Sequence, residues 1–151
     1  MAEFIIRDRV LTKYNGCKKV VHIPYGVTEI GQSAFMDHNE IASVTLPDSI
    51  TGIGANAFLG CDAMKSINIP QGVRKIGDNA FLCCESLEKI VIPDSVTGLG
   101  MWCFSECGSL RTVSIPESIR NIGALAFYHT KWLDEYPGDF VTVNGILICY
   151  K

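Results

Sequence analysis

Met64-Lys65-Ser66-Ile67-Asn68-Ile69-Pro70-Gln71-Gly72-Val73-Arg74-Lys75-Ile76-Gly77-Asp78-Asn79-Ala80-Phe81-Leu82-Cys83-Cys84 decides how this chain folds, because the pattern recurs on both sides of it every 23 residues. Pro24, Pro47, Pro70, Pro93 and Pro116 mark the period. Gly31, Gly54, Gly77, Gly100 and Gly123 form a second column, each preceded by Ile30, Ile53, Ile76, Leu99 or Ile122. Four residues after each Gly stands a ring, at Phe35, Phe58, Phe81, Phe104 and Phe127, behind Ala34, Ala57, Ala80, Cys103 and Ala126. Further apolar columns run through Val27, Ile50, Val73, Val96 and Ile119, through Ile41, Met64, Leu87 and Leu110, and through Val21, Val44, Ile67, Ile90 and Val113. Self-similarity at a fixed period of this length predicts a solenoid, in which each unit buries its apolar face only against its neighbours.

Each column has a physical reason. Around Ile90, Val91 and Ile92 the apolar residues alternate with a solvent position, the period of a half-buried strand, and Pro93 ends it by removing a backbone donor. Short strands are therefore predicted to stack in parallel. The Gly suits a positive φ or a close backbone approach, and the Ala-Phe pair sets a small residue against the wall and a ring in the core.

The Ile-Gly-x-x-Ala-Phe segment with its trailing Cys resembles the BspA-like leucine-rich repeat family, whose units are also 23 residues long, across about residues 20–130. That resemblance implies a curved or gently twisted β-rich solenoid with short helical or irregular turns. It also implies a bacterial cell-surface or secreted protein that binds host, matrix or partner proteins. The fold class is thus a leucine-rich repeat solenoid of about five stacked coils in a single domain. Residues 1–19 are an N-terminal hairpin cap, 20–130 the repeats and 131–151 a C-terminal cap hairpin.

The two ends carry a second repeat. Phe4 to Tyr14 aligns with Phe140 to Tyr150, matching at Phe, Leu and Tyr, and both segments read as β-hairpins. Asn144-Gly145 is a strong two-residue turn signal, and Asp8-Arg9 occupies the same place with weaker turn chemistry. Capping is the favoured reading, and a doorway to another repeat block is the alternative.

Composition narrows the function. With 13 basic and 16 acidic residues, no cationic surface for nucleic acid stands out. No apolar run approaches the ~18 residues of a membrane span, and Glu3, Arg7, Asp8 and Arg9 interrupt any secretory signal in the first residues. Localisation is unknown from the residues themselves. Cys61, Cys84 and Cys107 share a column with His38, on paper a zinc set. Residues of one column rise by ~4.8 Å per coil, so four of them span about 14 Å and cannot converge on one ion. They read as small buried hydrophobes, while Cys17, Cys83, Cys103 and Cys149 add no pattern. A bridge between neighbouring Cys is conceivable by distance but poor in torsion.

No catalytic constellation is visible. His22, His38 and His129 lie in no nucleophile motif, and Ser49, Ser95 and Ser118 follow Pro-Asp or Pro-Glu as turn formers. Asp48, Asp94 and Glu117 read as a solvated row, and the Gly spacing follows the repeat and not a phosphate loop. The chain is therefore predicted to be no enzyme and to need no cofactor or metal.

Two surfaces remain. A small polar ribbon of outward strand positions comprises His22, Ser43, Thr45, Ser66, Asn68, Lys89, Val91, Thr112 and Ser114, a candidate recognition face. A wall between the Gly and the Ala-Phe turns apolar towards the C-terminus. There Gln32-Ser33, Ala55-Asn56 and Asp78-Asn79 give way to Met101-Trp102 and Ala124-Leu125, with Tyr128 and Trp132 following. The expectation is that the segment from Trp132 to Phe140 folds back over Met101, Trp102 and Leu125, leaving a monomer; otherwise the patch is a contact for a partner or a second copy. Taken with the resemblance, the sequence predicts a protein–protein interaction module, with a structural spacer or self-associating stalk as the competing reading.

Overall fold

The computed structural model describes residues 2–150, with the side chains of Cys149 and Tyr150 outside that description, so the expectation for the Cys149 thiol lies beyond it. The chain opens with an antiparallel hairpin of β1 (Phe4–Arg7) and β2 (Val10–Tyr14). Asp8 and Arg9 turn it with φ of 48° and 66°. Two left-handed residues match the right-handed twist of the flanking strands, which lets the turn form without an Asn-Gly pair.

Five coils follow, each with two short strands. They carry β3 (Val20–His22) and β4 (Glu29–Ile30), β5 (Ser43–Thr45) and β6 (Gly52–Ile53), β7 (Ser66–Ile67) and β8 (Lys75–Ile76), β9 (Lys89–Val91) and β10 (Gly98–Leu99), and β11 (Thr112–Ser114) and β12 (Asn121–Ile122). A helix of one turn, α1 (Lys131–Asp134), and a second hairpin of β13 (Phe140–Val143) and β14 (Ile146–Tyr150) complete the chain. The even-numbered strands of the coils extend β2 in parallel into one seven-stranded sheet, with Leu11, Ile30, Ile53, Ile76, Leu99 and Ile122 in register. This second strand per coil is absent from the sequence reading, since two residues before a Gly are too few to show an alternation.

The core is a set of ladders. Successive Phe rings stack at centroid distances of 5.0, 5.3, 5.1 and 5.5 Å from Phe35 to Phe127, with interplanar angles of 11° or less. Tyr14 starts the column 5.1 Å from Phe35, and Trp132 ends it 4.8 Å from Phe127. All five Phe rings are fully buried. The backbone is tied between coils at the same level, since the amides of Phe35, Phe58, Phe81 and Phe104 each donate at 2.8 Å to the carbonyl just ahead of the next ring.

The Gly column serves close approach and not positive φ. A Cβ on Gly77 would stand 2.6 Å from the backbone nitrogen of Ala55 in the preceding coil. The Ser residues after each Pro are also more than turn formers: Ser49, Ser95 and Ser118 donate from Oγ to the carbonyls of Val27, Val73 and Val96 one coil back, at 2.6 to 2.8 Å.

Candidate interaction surfaces

The geometry of the wall is set by its backbone. Ser33, Asn56, Asn79, Trp102 and Leu125 lie one period apart and all adopt the left-handed conformation, with φ between 55° and 57°. Asn tolerates that region because its short amide bonds locally, and the Asn79 Nδ2 donates to Asn56 Oδ1 at 3.0 Å along the wall. Trp and Leu have no such compensation, and the conformation costs roughly 1–2 kcal/mol for each. The side chains of the wall here are partly in water: Trp102 is 38% exposed, Leu125 41%, Met101 49% and Tyr128 38%. They adjoin one another, since the Trp102 amide donates to the Ala124 carbonyl at 3.0 Å and the Trp102 ring meets Tyr128 edge-on at 6.4 Å. Beside them Tyr128 stacks on His129 at 3.8 Å, and His129 Nδ1 lies 2.9 Å from Glu106 Oε1.

The expected fold-back does not cover this wall, whose Met101, Trp102 and Leu125 side chains stay partly exposed. Thr130 occupies the next place in the column of His38, Cys61, Cys84 and Cys107, and its extended backbone and Oγ1 cap α1 at the Leu133 amide, 3.2 Å away. The helix therefore starts at the end of the core. Trp132 lies over the last Phe and donates its amide to the Leu110 carbonyl at 2.7 Å. Of the five predicted patch residues, Met101, Trp102, Leu125 and Tyr128 stand together in solvent, while Trp132 is half-buried and closes the ring column.

The ribbon is exposed, except that Ser43 is half-buried, but it is discontinuous. β3, β5 and β7 form one three-stranded sheet and β9 with β11 another. At the break Asn68 turns its amide back onto the preceding coil, donating to the Leu46 carbonyl at 3.1 Å and accepting from the Leu46 amide at 3.0 Å. Asn68 thus extends the β5–β7 contact through its side chain, a role the repeat spacing does not reveal. An open depression of about 340 Å³ lies at the break, lined by Ser66, Asn68, Gln71, Lys89, Val91 and Pro93 among others.

The Cys column is structural. Cys61, Cys84 and Cys107 each donate from Sγ at 3.2 Å to the carbonyl of the Phe one coil back, and His38 Nε2 makes the corresponding contact to the Tyr14 carbonyl at 3.0 Å. Burial pushes the Cys61 and Cys107 thiols up to about 12 and holds Cys84 and Cys103 well above the ordinary thiol range. A thiol kept protonated is neither nucleophile nor metal ligand. Cys17 is the one exposed thiol among the described side chains.

Stacked parallel coils, each with two short strands and a ring in one core column, define a leucine-rich repeat solenoid. The profile of the BspA type leucine rich repeat region matches residues 7–135 in six copies, and the chain belongs to that family. Among solved structures, a leucine-rich repeat protein of T. pallidum is 39% identical over 79% of this chain and 58% of its own, with a TM-score of 0.76. One from Bacteroides ovatus is 28% identical over 84% of this chain and 37% of its own, with a TM-score of 0.73. A leucine rich cell surface protein of Faecalibacterium prausnitzii is 25% identical over 95% of this chain and 55% of its own, with a TM-score of 0.58. The chain thus spans less than two thirds of each of these relatives. No protein with a curated description matches it. Leucine-rich repeat solenoids of this kind are typically protein-interaction modules of bacterial surface proteins. Among the described residues no helix is long and apolar enough to cross a membrane.

Proposed function

We propose that this solenoid is a recognition module of a bacterial surface or secreted protein and that it binds a host, matrix or other protein through the apolar wall. One observation carries the reading. Two adjacent coils place Trp102 and Leu125 where the earlier coils have Ser33, Asn56 and Asn79, accept the left-handed backbone with bulky side chains, and leave those side chains half in water. Strain retained around an exposed apolar patch suits binding better than folding. Trp and Tyr are also the residue types that anchor protein interfaces, and the ribbon contains neither. Asp78 and Glu106 border the patch, which favours a partner presenting apolar side chains with a basic flank.

The description of the F. prausnitzii relative as a cell surface protein supports the location. The depression at the ribbon break favours a second, weaker reading, in which Lys89 and Val91 form the contact. The test is surface plasmon resonance against a panel of host extracellular-matrix proteins, with the wild-type chain beside a Trp102→Asn, Leu125→Asn variant. Saturable binding weakened at least tenfold in the variant supports the wall. Equal binding by both moves the contact to the ribbon. No binding by either chain, with unchanged fold, leaves the solenoid as a spacer.

A further inference from the structure

We infer that the partner of the wall offers an amphipathic α-helix with basic residues along its flank, laid parallel to the solenoid axis; this rests on the wall being the binding face. The apolar surface is longer than the two coils that carry Trp102 and Leu125. The residue after each ring forms a further row, Met36, Leu59, Leu82, Ser105 and Tyr128. Met36 is 43% exposed, Leu59 and Leu82 are half-buried, and Tyr128 belongs to the patch already described. Ser105 is buried, and in its coil the exposed side chain is that of Trp102, whose carbonyl accepts from the Ser105 amide at 3.2 Å. The row is tied from coil to coil, since the amides of Asp37, Gly60, Cys83 and Glu106 donate to the carbonyls of Leu59, Leu82, Ser105 and Tyr128 at 2.8 to 3.0 Å. An apolar strip thus crosses all five coils.

Acids run beside it. In the turn that follows the row, each of the first four coils carries one carboxylate, at Asp37, Asp62, Glu85 and Glu106. They stand close together around Cys83, whose thiol is raised by burial and then by the charges of Glu106, Asp62 and Glu85. On the opposite side Asp78 holds the Met101 amide at 2.8 Å. Cations enter these turn positions only in the fifth coil, as Lys131 and as His129, and His129 is already paired with Glu106. A regular row of acids beside an apolar strip matches a partner whose apolar stripe is bordered by Lys or Arg.

Spacing decides the partner's backbone. Successive members of a row are one coil apart, and the stacked rings measure that step as 5.0 to 5.5 Å. A helical turn rises about 5.4 Å, so apolar side chains at i, i+3 or i+4, and i+7 meet one coil each and stay in step along the strip. Same-face side chains of an extended strand lie about 6.6–6.8 Å apart and slip by roughly 1 Å or more at every coil. A strand also needs hydrogen-bond partners from the surface that it joins, and the amides beside the row are already given to the next coil. A helix arrives with its backbone bonds made. A second copy of the chain is not the occupant: among the described residues its helix is the single turn Lys131–Asp134, and Trp132 of that turn closes the ring column.

The test uses a peptide of roughly 15 residues built of Ala, Leu and Lys, with Leu at helical spacing, beside an isomer of the same composition in which Leu alternates with the other residues. Calorimetry measures binding, and far-UV circular dichroism reads the helix gained by the peptide. The helical peptide is expected to bind one site per chain, to gain helix, and to bind at least tenfold more tightly than the isomer. Trp102→Asn with Leu125→Asn is expected to weaken it at least tenfold, as is Leu59→Ser with Leu82→Ser, which copies Ser105 of the same row. Asp62→Asn with Glu85→Gln, a pair at the turn surface, is expected to weaken it at least threefold at low salt, and it decides the matter where the Leu variant does not fold. Absence of saturable binding, equal binding of the isomer, or binding indifferent to the folded Leu59 and Leu82 variant and to the acid variant would overturn the inference. If one of these results comes while a matrix protein still requires Trp102 and Leu125, the helix falls and the wall stands as the binding face. If neither the peptide nor a matrix protein responds to Trp102→Asn with Leu125→Asn, both readings fall.

Discussion

Phe81→Ala tests the packing logic at its centre. The ring is fully buried between Phe58, 5.3 Å away at 9°, and Phe104, 5.1 Å away at 3°. Its backbone stays tied to the coil ahead through the 2.8 Å bond from its amide to the Cys103 carbonyl, so the coils cannot slide together to fill the space. The loss is therefore the full large-to-small penalty, about 3–5 kcal/mol, against a total stability of ~5–15 kcal/mol for a domain of ordinary size. Urea unfolding followed by far-UV circular dichroism measures it. Fluorescence adds a regional probe, because Trp102 and Trp132 both lie C-terminal to the substitution. The wild-type chain is expected to give coincident transitions by both probes, and the variant a midpoint lowered in proportion to its free-energy loss. A loss below about 1 kcal/mol with unchanged slope would refute the idea that the stacked rings hold the coils together.

Three further outcomes follow from the same contacts. Gly77→Ala sets a Cβ 2.6 Å from the Ala55 nitrogen, a rigid backbone atom, and is expected to destabilise by about 1–3 kcal/mol in urea unfolding; a neutral result contradicts the close-approach role of the Gly column. Ser95→Ala removes the 2.6 Å bond from Oγ to the Val73 carbonyl and is expected to cost about 0.5–1.5 kcal/mol by the same measurement, whereas no loss returns Ser95 to a turn former. The Cys61 and Cys107 thiols stay neutral in the fold up to about 12 but ionise near ~8.5 when unfolded, so the unfolded chain binds fewer protons between those values. Their contribution is fully present below that window and is lost as pH rises through it. The loss reaches roughly 2 kcal/mol per thiol by pH ~10, and Cys61→Ala with Cys107→Ala should flatten the alkaline slope of stability.

The columns made the solenoid legible, because a repeat in which each coil meets only its neighbours writes every core contact into one period. The hairpins were legible for a similar reason, since Asn144-Gly145 carries its own turn chemistry and Phe4 to Tyr14 copies its frame. Features that depend on side-chain direction were not. Asn68 looks like any ribbon residue until its amide is seen bonding Leu46, and Ser95 looks like a turn former until its Oγ is seen reaching Val73. The expected cover over Trp102 rested on grouping the aromatic residues near the C-terminus by type, and the wall stays partly exposed. Thr130 starts α1 over the Phe127 end of the core, and so Trp132 closes the ring column. One signal for this was available: Thr130 continues the column of His38, Cys61, Cys84 and Cys107 with an N-cap residue.

The claim that the wall is displayed for recognition is tested most directly by the unfolding free energy of the Trp102→Asn, Leu125→Asn variant. Both positions then carry the residue that the second and third coils already use at φ near 56°. Relief of the left-handed strain, roughly 1 kcal/mol or more for each residue, offsets the partial burial given up. The account predicts a net change of less than about 1 kcal/mol, well short of the Phe81→Ala loss. A loss of about 3 kcal/mol or more would place Trp102 and Leu125 in the core and contradict it.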